Sequence, residues 1–372
     1  MLIVPSARPA VLAAALVLVA CVGPSREVTL QPSAAGLGTP VTLLVATSRE
    51  PEGSPLYFGS GRARVSRFAR FTVSVPPNRS PGTINWPTRV PGDPRTDFLT
   101  ISAERIPDAR AFVAAINAEL RRKRGREAVV FVHGYNTSFA AGLYRQAQMH
   151  HDFKLPDTSI HYSWPSAGRL TGYVYDKESA IFGAEGLADL LELLATTNID
   201  QIALVGHSMG GFVVMEALRL LALRGSSAAF GKLHAVVLLA PDEDIDIFRQ
   251  RMATLRARDL PVYIFASSHD RALRTSSRLQ GRRARLGALT DPAMIEDLPV
   301  YLLDISDVAS SDPYRHNNVA TSPLMTALVK GFDKQGIQTF DDFARGSSGL
   351  ADLTVHAVQQ ATQVVVEPIV SP

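Results

Sequence analysis

Ser208 lies in the run Gly206-His207-Ser208-Met209-Gly210, between Ile202-Ala203-Leu204-Val205 and Phe212-Val213-Val214-Met215. The first flank has the apolar character of a buried strand and the second opens a helical run, so the serine sits on a strand-to-helix turn. Such a turn exposes the hydroxyl, and the helix N-terminus beneath it favours an oxyanion, which suits attack on an acyl carbon. Glycine is needed at 206 and 210 because side chains there would collide with the adjoining strand and helix.

A serine hydroxyl becomes nucleophilic only when a base removes its proton. For a strand-turn-helix nucleophile the chain order is serine, then acid, then histidine, which leaves His234, His269, His316 and His356. His316, in the loop after an expected strand from Val300 to Ile305, is the predicted base. His234 precedes its strand and falls at the wrong edge, while His356 lies in the tail. Asp270, which closes Ala266-Ser267-Ser268-His269-Asp270, is the predicted acid that orients the imidazole. Asp242 and Asp244 are the alternatives, with Asp304 and Asp307 behind them. The oxyanion hole is expected from the N–H of Met209 and one from His133-Gly134-Tyr135-Asn136, Tyr135 first and Asn136 second. His133 reads as a brace for that loop. His150-His151 lacks a third ligand at metal spacing, and neither metal nor cofactor is expected.

Alternating elements must hold these residues in place. Short β-branched runs are predicted as eight strands: Val41 to Thr47, Arg70 to Val75, Ala128 to His133, Ser159 to Trp164, Gln201 to Gly206, Ala235 to Ala240, Val262 to Ala266 and Val300 to Ile305. A further extended stretch, Asp97 to Ile106, could pair at the edge near the second. Helices are expected from Asp108 to Arg124, Glu178 to Thr196, Gly210 to Arg224, Ile245 to Arg258 and Pro323 to Lys330. The alternation predicts an α/β fold with a mostly parallel sheet and helices on both faces. The short stretch between Ala240 and Val262 leaves no room for a large cap, so access should be open. Specificity then falls to the rim, Ser166 to Phe182 with Tyr173 and Tyr175, and to an arginine-bearing stretch after Asp270 that could attract anions.

The charge of +3 from 38 basic and 35 acidic residues is too small to argue for a nucleic-acid partner. Arg8 followed by an apolar run from Ala10 to Ala20 is too short to span a bilayer and fits a secretory signal over residues 1–20. Leu18-Val19-Ala20-Cys21 resembles a bacterial lipobox, which implies acylation of Cys21, the sole cysteine. Residues 21–40 then read as a lipidated cysteine and flexible tether, 41–332 as the catalytic domain, and 333–372 as an irregular tail. Two or three acyl chains would anchor the protein at a membrane without a spanning helix. Val22 in place of aspartate points to the outer membrane, facing the periplasm.

With these residues placed, the chain resembles the bacterial DUF900 family of α/β hydrolases, within the esterase and lipase superfamily. The likeness covers roughly residues 41–330 and rests on Val45-Ala46-Thr47-Ser48-Arg49, Val73-Ser74-Val75-Pro76-Pro77, Val132-His133-Gly134-Tyr135-Asn136, the Ser208 run and Ala240-Pro241-Asp242. It implies an α/β-hydrolase fold with strands ahead of the core. The leading reading is a serine hydrolase that cleaves a small-molecule or lipid-like carboxylic ester through an acyl-enzyme, with Ser208, Asp270 and His316 as its triad. The alternative is a catalytically idle envelope lipoprotein that keeps the scaffold for binding.

Overall fold

Apolar residues at period two become strands and those three or four apart become the helices between them. In chain order these are β1 (Thr39–Glu52), β2 (Ser54–Val75), β3 (Leu99–Ile106), α1 (Ala109–Arg122), β4 (Glu127–Val132), α2 (Phe139–Phe153), β5 (Thr158–Ser163), α3 (Tyr173–Ala195), β6 (Gln201–His207), α4 (Met209–Arg224), α5 (Ser227–Phe230), β7 (Leu233–Leu239), α6 (Ile245–Leu255), β8 (Val262–Ala266), α7 (Arg271–Leu279), β9 (Val300–Asp304), β10 (Leu353–Ala357) and β11 (Gln363–Pro368). The computed structural model describes residues 27–122, 125–155, 158–281, 283–289, 291–306, 316, 353–357 and 363–368. Cys21, the apolar leader before it, Asp307 and the helix expected from Pro323 lie outside these residues.

The described strands form one sheet in the order β10-β11-β9-β8-β7-β6-β4-β5-β1-β2-β3. Pairing is parallel from β1 through β5, β4, β6, β7, β8 and β9 to β11, and antiparallel at the β1–β2, β2–β3 and β10–β11 pairs. Strand β4 shows why both faces are covered. Ala128, Val130 and Val132 pack with Phe112, Ile116 and Leu120 of α1 and with α3 and α4, while Val129 and Phe131 meet Met149 and Phe153 of α2. Asp108 accepts a hydrogen bond from the Ala111 N–H at 2.8 Å, which caps α1 and aims its Phe112-Ile116-Leu120 stripe at the sheet.

The expected α/β sheet is present, and the described residues supply eleven strands that include the eight expected and the further edge stretch. The stretch from Asp97 does pair at the edge, as β3 against β2. Strand β2 begins at Ser54, well before Arg70, because cross-strand pairing such as Arg49 with Arg62 extends the β1–β2 hairpin through a polar stretch without apolar alternation. The tail predicted to be irregular supplies β10 and β11. The β-branched run Val364-Val365-Val366 finds a parallel partner in the edge strand β9, Val364 opposite Leu303. The later part of the predicted tether is also ordered. Gln31 donates its N–H to the Thr100 carbonyl at 2.8 Å, and the Thr100 N–H bonds the Thr29 carbonyl at 2.9 Å, so residues 29–31 lie along the start of β3.

Candidate active site

Strand β6 ends at His207 and α4 begins at Met209, so Ser208 alone makes the turn, with φ 54° and ψ −124°. This is strained backbone for a residue with a side chain, and the surroundings hold it there. The Ser208 N–H donates to the Leu239 carbonyl at 2.9 Å, while its own carbonyl accepts from Gly211 at 2.9 Å and Asp242 at 3.1 Å. A Cβ on Gly210 would lie 2.4 Å from the Val132 carbonyl oxygen, and one on Gly206 would lie 2.8 Å from that of Gly210. Only glycine permits the approach.

Asp270 and His316, the acid and base expected from the sequence, lie in contact. His316 donates its Nδ1–H to Asp270 Oδ2 at 2.6 Å, and Asp270 is fully buried. The other carboxylate oxygen accepts the Leu273 N–H at 2.9 Å, so Asp270 is also the N-cap of α7. His316 is held a second way. Its carbonyl accepts from His207 Nε2 at 3.3 Å, and the two imidazole rings lie 4.9 Å apart. The residue just before Ser208 thus touches the predicted base.

The alternative acids have other partners. Asp242 accepts from Ser276 at 2.7 Å and Tyr173 at 3.1 Å, and faces Arg285 at 3.6 Å. Asp244 caps α6, and Asp304 accepts from Ser306. Among the other histidines, His234 begins β7 at the opposite edge, His269 contacts the Ser306 carbonyl at 3.0 Å, and His356 is in β10.

The loop after β4 crosses close above the serine, since a Cβ on Gly134 would come within 2.9 Å of Ser208 Cβ. Among the described residues, neither the Tyr135 N–H nor the Met209 N–H donates a hydrogen bond, whereas Asn136 gives its N–H to Asp176 at 3.2 Å. His133 is buried, with ring nitrogens against the Gly134 and Trp164 carbonyls at 3.0 and 3.1 Å. Burial, then Arg49 and His161, hold its pKa well below the ordinary value, which makes it a poor base and a good brace.

Two residues beneath this loop carry roles that sequence motifs did not announce. Arg49, fully enclosed at the base of the β1–β2 hairpin, donates to Ser163 Oγ at 2.8 Å and to the carbonyls of Gly59, Ser166 and Thr137 at 2.9, 2.9 and 2.8 Å. Burial brings its pKa down to about 10, partly offset by Asp176. Asp176, in the first turn of α3, accepts from Ser166 Oγ and the Ala167 N–H, both at 2.6 Å, and from Asn136. Burial raises its pKa against these bonds. Arg49 stood in the Thr47-Ser48-Arg49 run quoted for the family resemblance. An arginine soon after the mostly apolar run Val41 to Ala46 was the available signal.

Residues 108–331 match the family described as an alpha/beta hydrolase of unknown function, DUF900. The chain belongs to this family. An uncharacterized protein of Nostoc sp. is 27% identical over 128 residues, covering 27% of this chain and 33% of that protein. The chain thus spans about a third of the length of the curated relative it matches. Among solved structures, a dienelactone hydrolase from Anabaena variabilis is 12% identical with a TM-score of 0.36, covering 78% of this chain and 99% of that one. Lipase B of Aspergillus fumigatus is 14% identical with a TM-score of 0.36, covering 70% and 64%. In this DUF900 chain the Ser208 turn, the Asp270–His316 pair and the Gly134 loop meet at the carboxyl edge of the sheet.

Proposed function

We propose that this DUF900 protein is a serine hydrolase that cleaves carboxylic esters through an acyl-enzyme. The observation that carries the reading is the double hold on His316, by buried Asp270 at Nδ1 and at its carbonyl by His207, the neighbour of Ser208. With Nδ1 committed to the acid, Nε2 is the nitrogen that exchanges a proton with the serine.

Ser208 Oγ attacks the ester carbonyl carbon as its proton passes to His316 Nε2. The electron pair moved onto the carbonyl oxygen is met by the N–H groups of Tyr135 and Met209. The carbon–oxygen bond to the alcohol then breaks, and His316 returns the proton to the departing alkoxide. Water, deprotonated by His316, attacks the acyl-enzyme, releases the carboxylic acid and restores the Ser208 hydroxyl. Asp270 stabilises the imidazolium at both stages without taking its proton.

A fluorophosphonate probe and p-nitrophenyl esters of graded chain length test this. The chain is expected to label and to turn over the esters, and Ser208→Ala to do neither. A wild-type chain that fails to label would support an idle scaffold, and labelling of Ser208→Ala would move the nucleophile elsewhere.

A further inference from the structure

The mouth around Ser208 is ringed by two unlike surfaces joined through one side chain. Tyr135 donates its hydroxyl to the Leu170 carbonyl, and its ring meets the Tyr173 ring edge-on at 5.3 Å. The Tyr173 hydroxyl reaches Asp242 at 3.1 Å and Ser276 of α7 at 3.0 Å, and also accepts from Gln280. The oxyanion loop, the start of α3 and helix α7 therefore form a continuous rim, which closes at Asp270 and His316.

On the α3 side this rim carries aliphatic side chains open to solvent, between the charged Arg169 and Glu178. Leu170 is 76% exposed and Val174 77%, with Ile181 two turns further along the same helix face. Two large aliphatic side chains this exposed, on a rim tied to the Ser208 loop through Tyr135, leave apolar surface that a hydrocarbon chain would cover.

On the α7 side the rim is cationic. Leu273 and Ser276 face inward, while Arg271, Arg274 and Arg278, three and four residues apart, share the outer face. Among the described residues none of the three pairs with a carboxylate, whereas Arg283 faces Asp246 at 3.6 Å and Arg285 faces Asp242. Arg271 directly follows the acid, and the Arg274 N–H bonds the Asp270 carbonyl at 3.3 Å, so the row starts at the site itself. Guanidinium groups in such a row match phosphate, sulfate or carboxylate oxygens.

From this arrangement we infer that the ester taken at Ser208 is an anionic amphiphile, its hydrocarbon chain against Leu170 and Val174 and its anionic head against Arg271, Arg274 and Arg278. This rests on the ester reading above, so binding is measured without turnover. The full chain carrying Ser208→Ala is titrated with dodecyl phosphate, with the neutral dodecyl maltoside and with inorganic phosphate, all below micelle formation. Dodecyl phosphate is expected to bind at least tenfold more tightly than either. Arg274→Gln with Arg278→Gln should weaken it by roughly fivefold per arginine and leave the maltoside unchanged. Leu170→Ser with Val174→Ser should weaken both amphiphiles.

Vesicles of phosphatidylcholine with and without phosphatidylglycerol distinguish the source of the head group. Capture by the anionic vesicles together with weak monomer binding would assign it to a lipid surface, and tight monomer binding to a free amphiphile. Equal affinity for the two amphiphiles, or no loss in the arginine variants, overturns the inference. Inorganic phosphate binding as well as dodecyl phosphate overturns its apolar half. If the wild-type chain neither labels with the fluorophosphonate nor hydrolyses any p-nitrophenyl ester of the series while dodecyl phosphate still binds, the ester reading fails and the binding site stands.

Discussion

The two sides of Ser208 are built by different means. On the side of the proposed oxyanion hole, the loop after β4 is fixed from beneath by Arg49, Asp176, Ser166, His133 and Trp164, all buried. On the side of the proposed acid and base, His316 is held by a charge-assisted bond to Asp270 and by a contact from His207. The contrast separates two demands on a hydrolytic site. Donors aimed at a developing charge must not reorganise, and a network with many bonds achieves that. A base that gives and takes a proton needs the right tautomer, which a single buried carboxylate supplies.

Substitutions on the two sides should therefore fail differently. The largest effect is expected from Asp270→Asn, which keeps an acceptor for the α7 cap but favours the wrong His316 tautomer. Ester turnover should fall about 10⁴-fold with little change in melting temperature; comparable losses in both would make Asp270 chiefly a structural residue. Next comes Arg49→Met, which strips donors from the buried Ser166 carbonyl and the half-buried carbonyls of Gly59 and Thr137 and should cost about 3 kcal/mol of stability, read by urea unfolding. An unchanged midpoint would contradict the bracing role.

His207→Ala should lower kcat roughly tenfold with KM unchanged, and His207→Asn, which keeps a donor, should recover part of it. A rise in KM alone would place His207 in substrate binding. The smallest effect concerns Glu243, beside Asp242 and bonded to Arg251. Burial raises its pKa to about 7, against the pull of Arg251. Between the ordinary carboxyl range and 7 the folded chain retains a proton that the unfolded chain has released, so this group's contribution to stability falls as pH rises through that window. Melting temperature followed from pH 5 to 7 should show that decline, and Glu243→Gln should flatten it.

How much of this was legible in the sequence follows the same division. The strand-turn-helix around Ser208 was readable because its chemistry is local: glycines on each side, an apolar strand before and an apolar helix after. Asp270 and His316 followed from chain order on a parallel sheet, where the loops at the carboxyl ends converge. Arg49 and Asp176 were not readable as site residues, since their partners are backbone carbonyls and amides of distant loops, which any residue type provides. The polar half of the β1–β2 hairpin was hidden for a similar reason. Its pairing is made by backbone, and residues such as Arg62 and Arg64 disguise a strand as solvent-facing loop.

The pairing of residues 29–31 with Thr100 has a directional consequence. Through the register of β3, β2, β1, β5, β4 and β6, Thr100 lies near the amino end of the central strands, and Ser208 roughly 20 Å further along them. From Thr29 back to Cys21 the chain can reach at most roughly 28 Å. The body is entered at the end of the sheet opposite Ser208, and that reach is long enough to carry Cys21 to either end, so an acyl anchor there would hold the body without fixing which end faces the membrane.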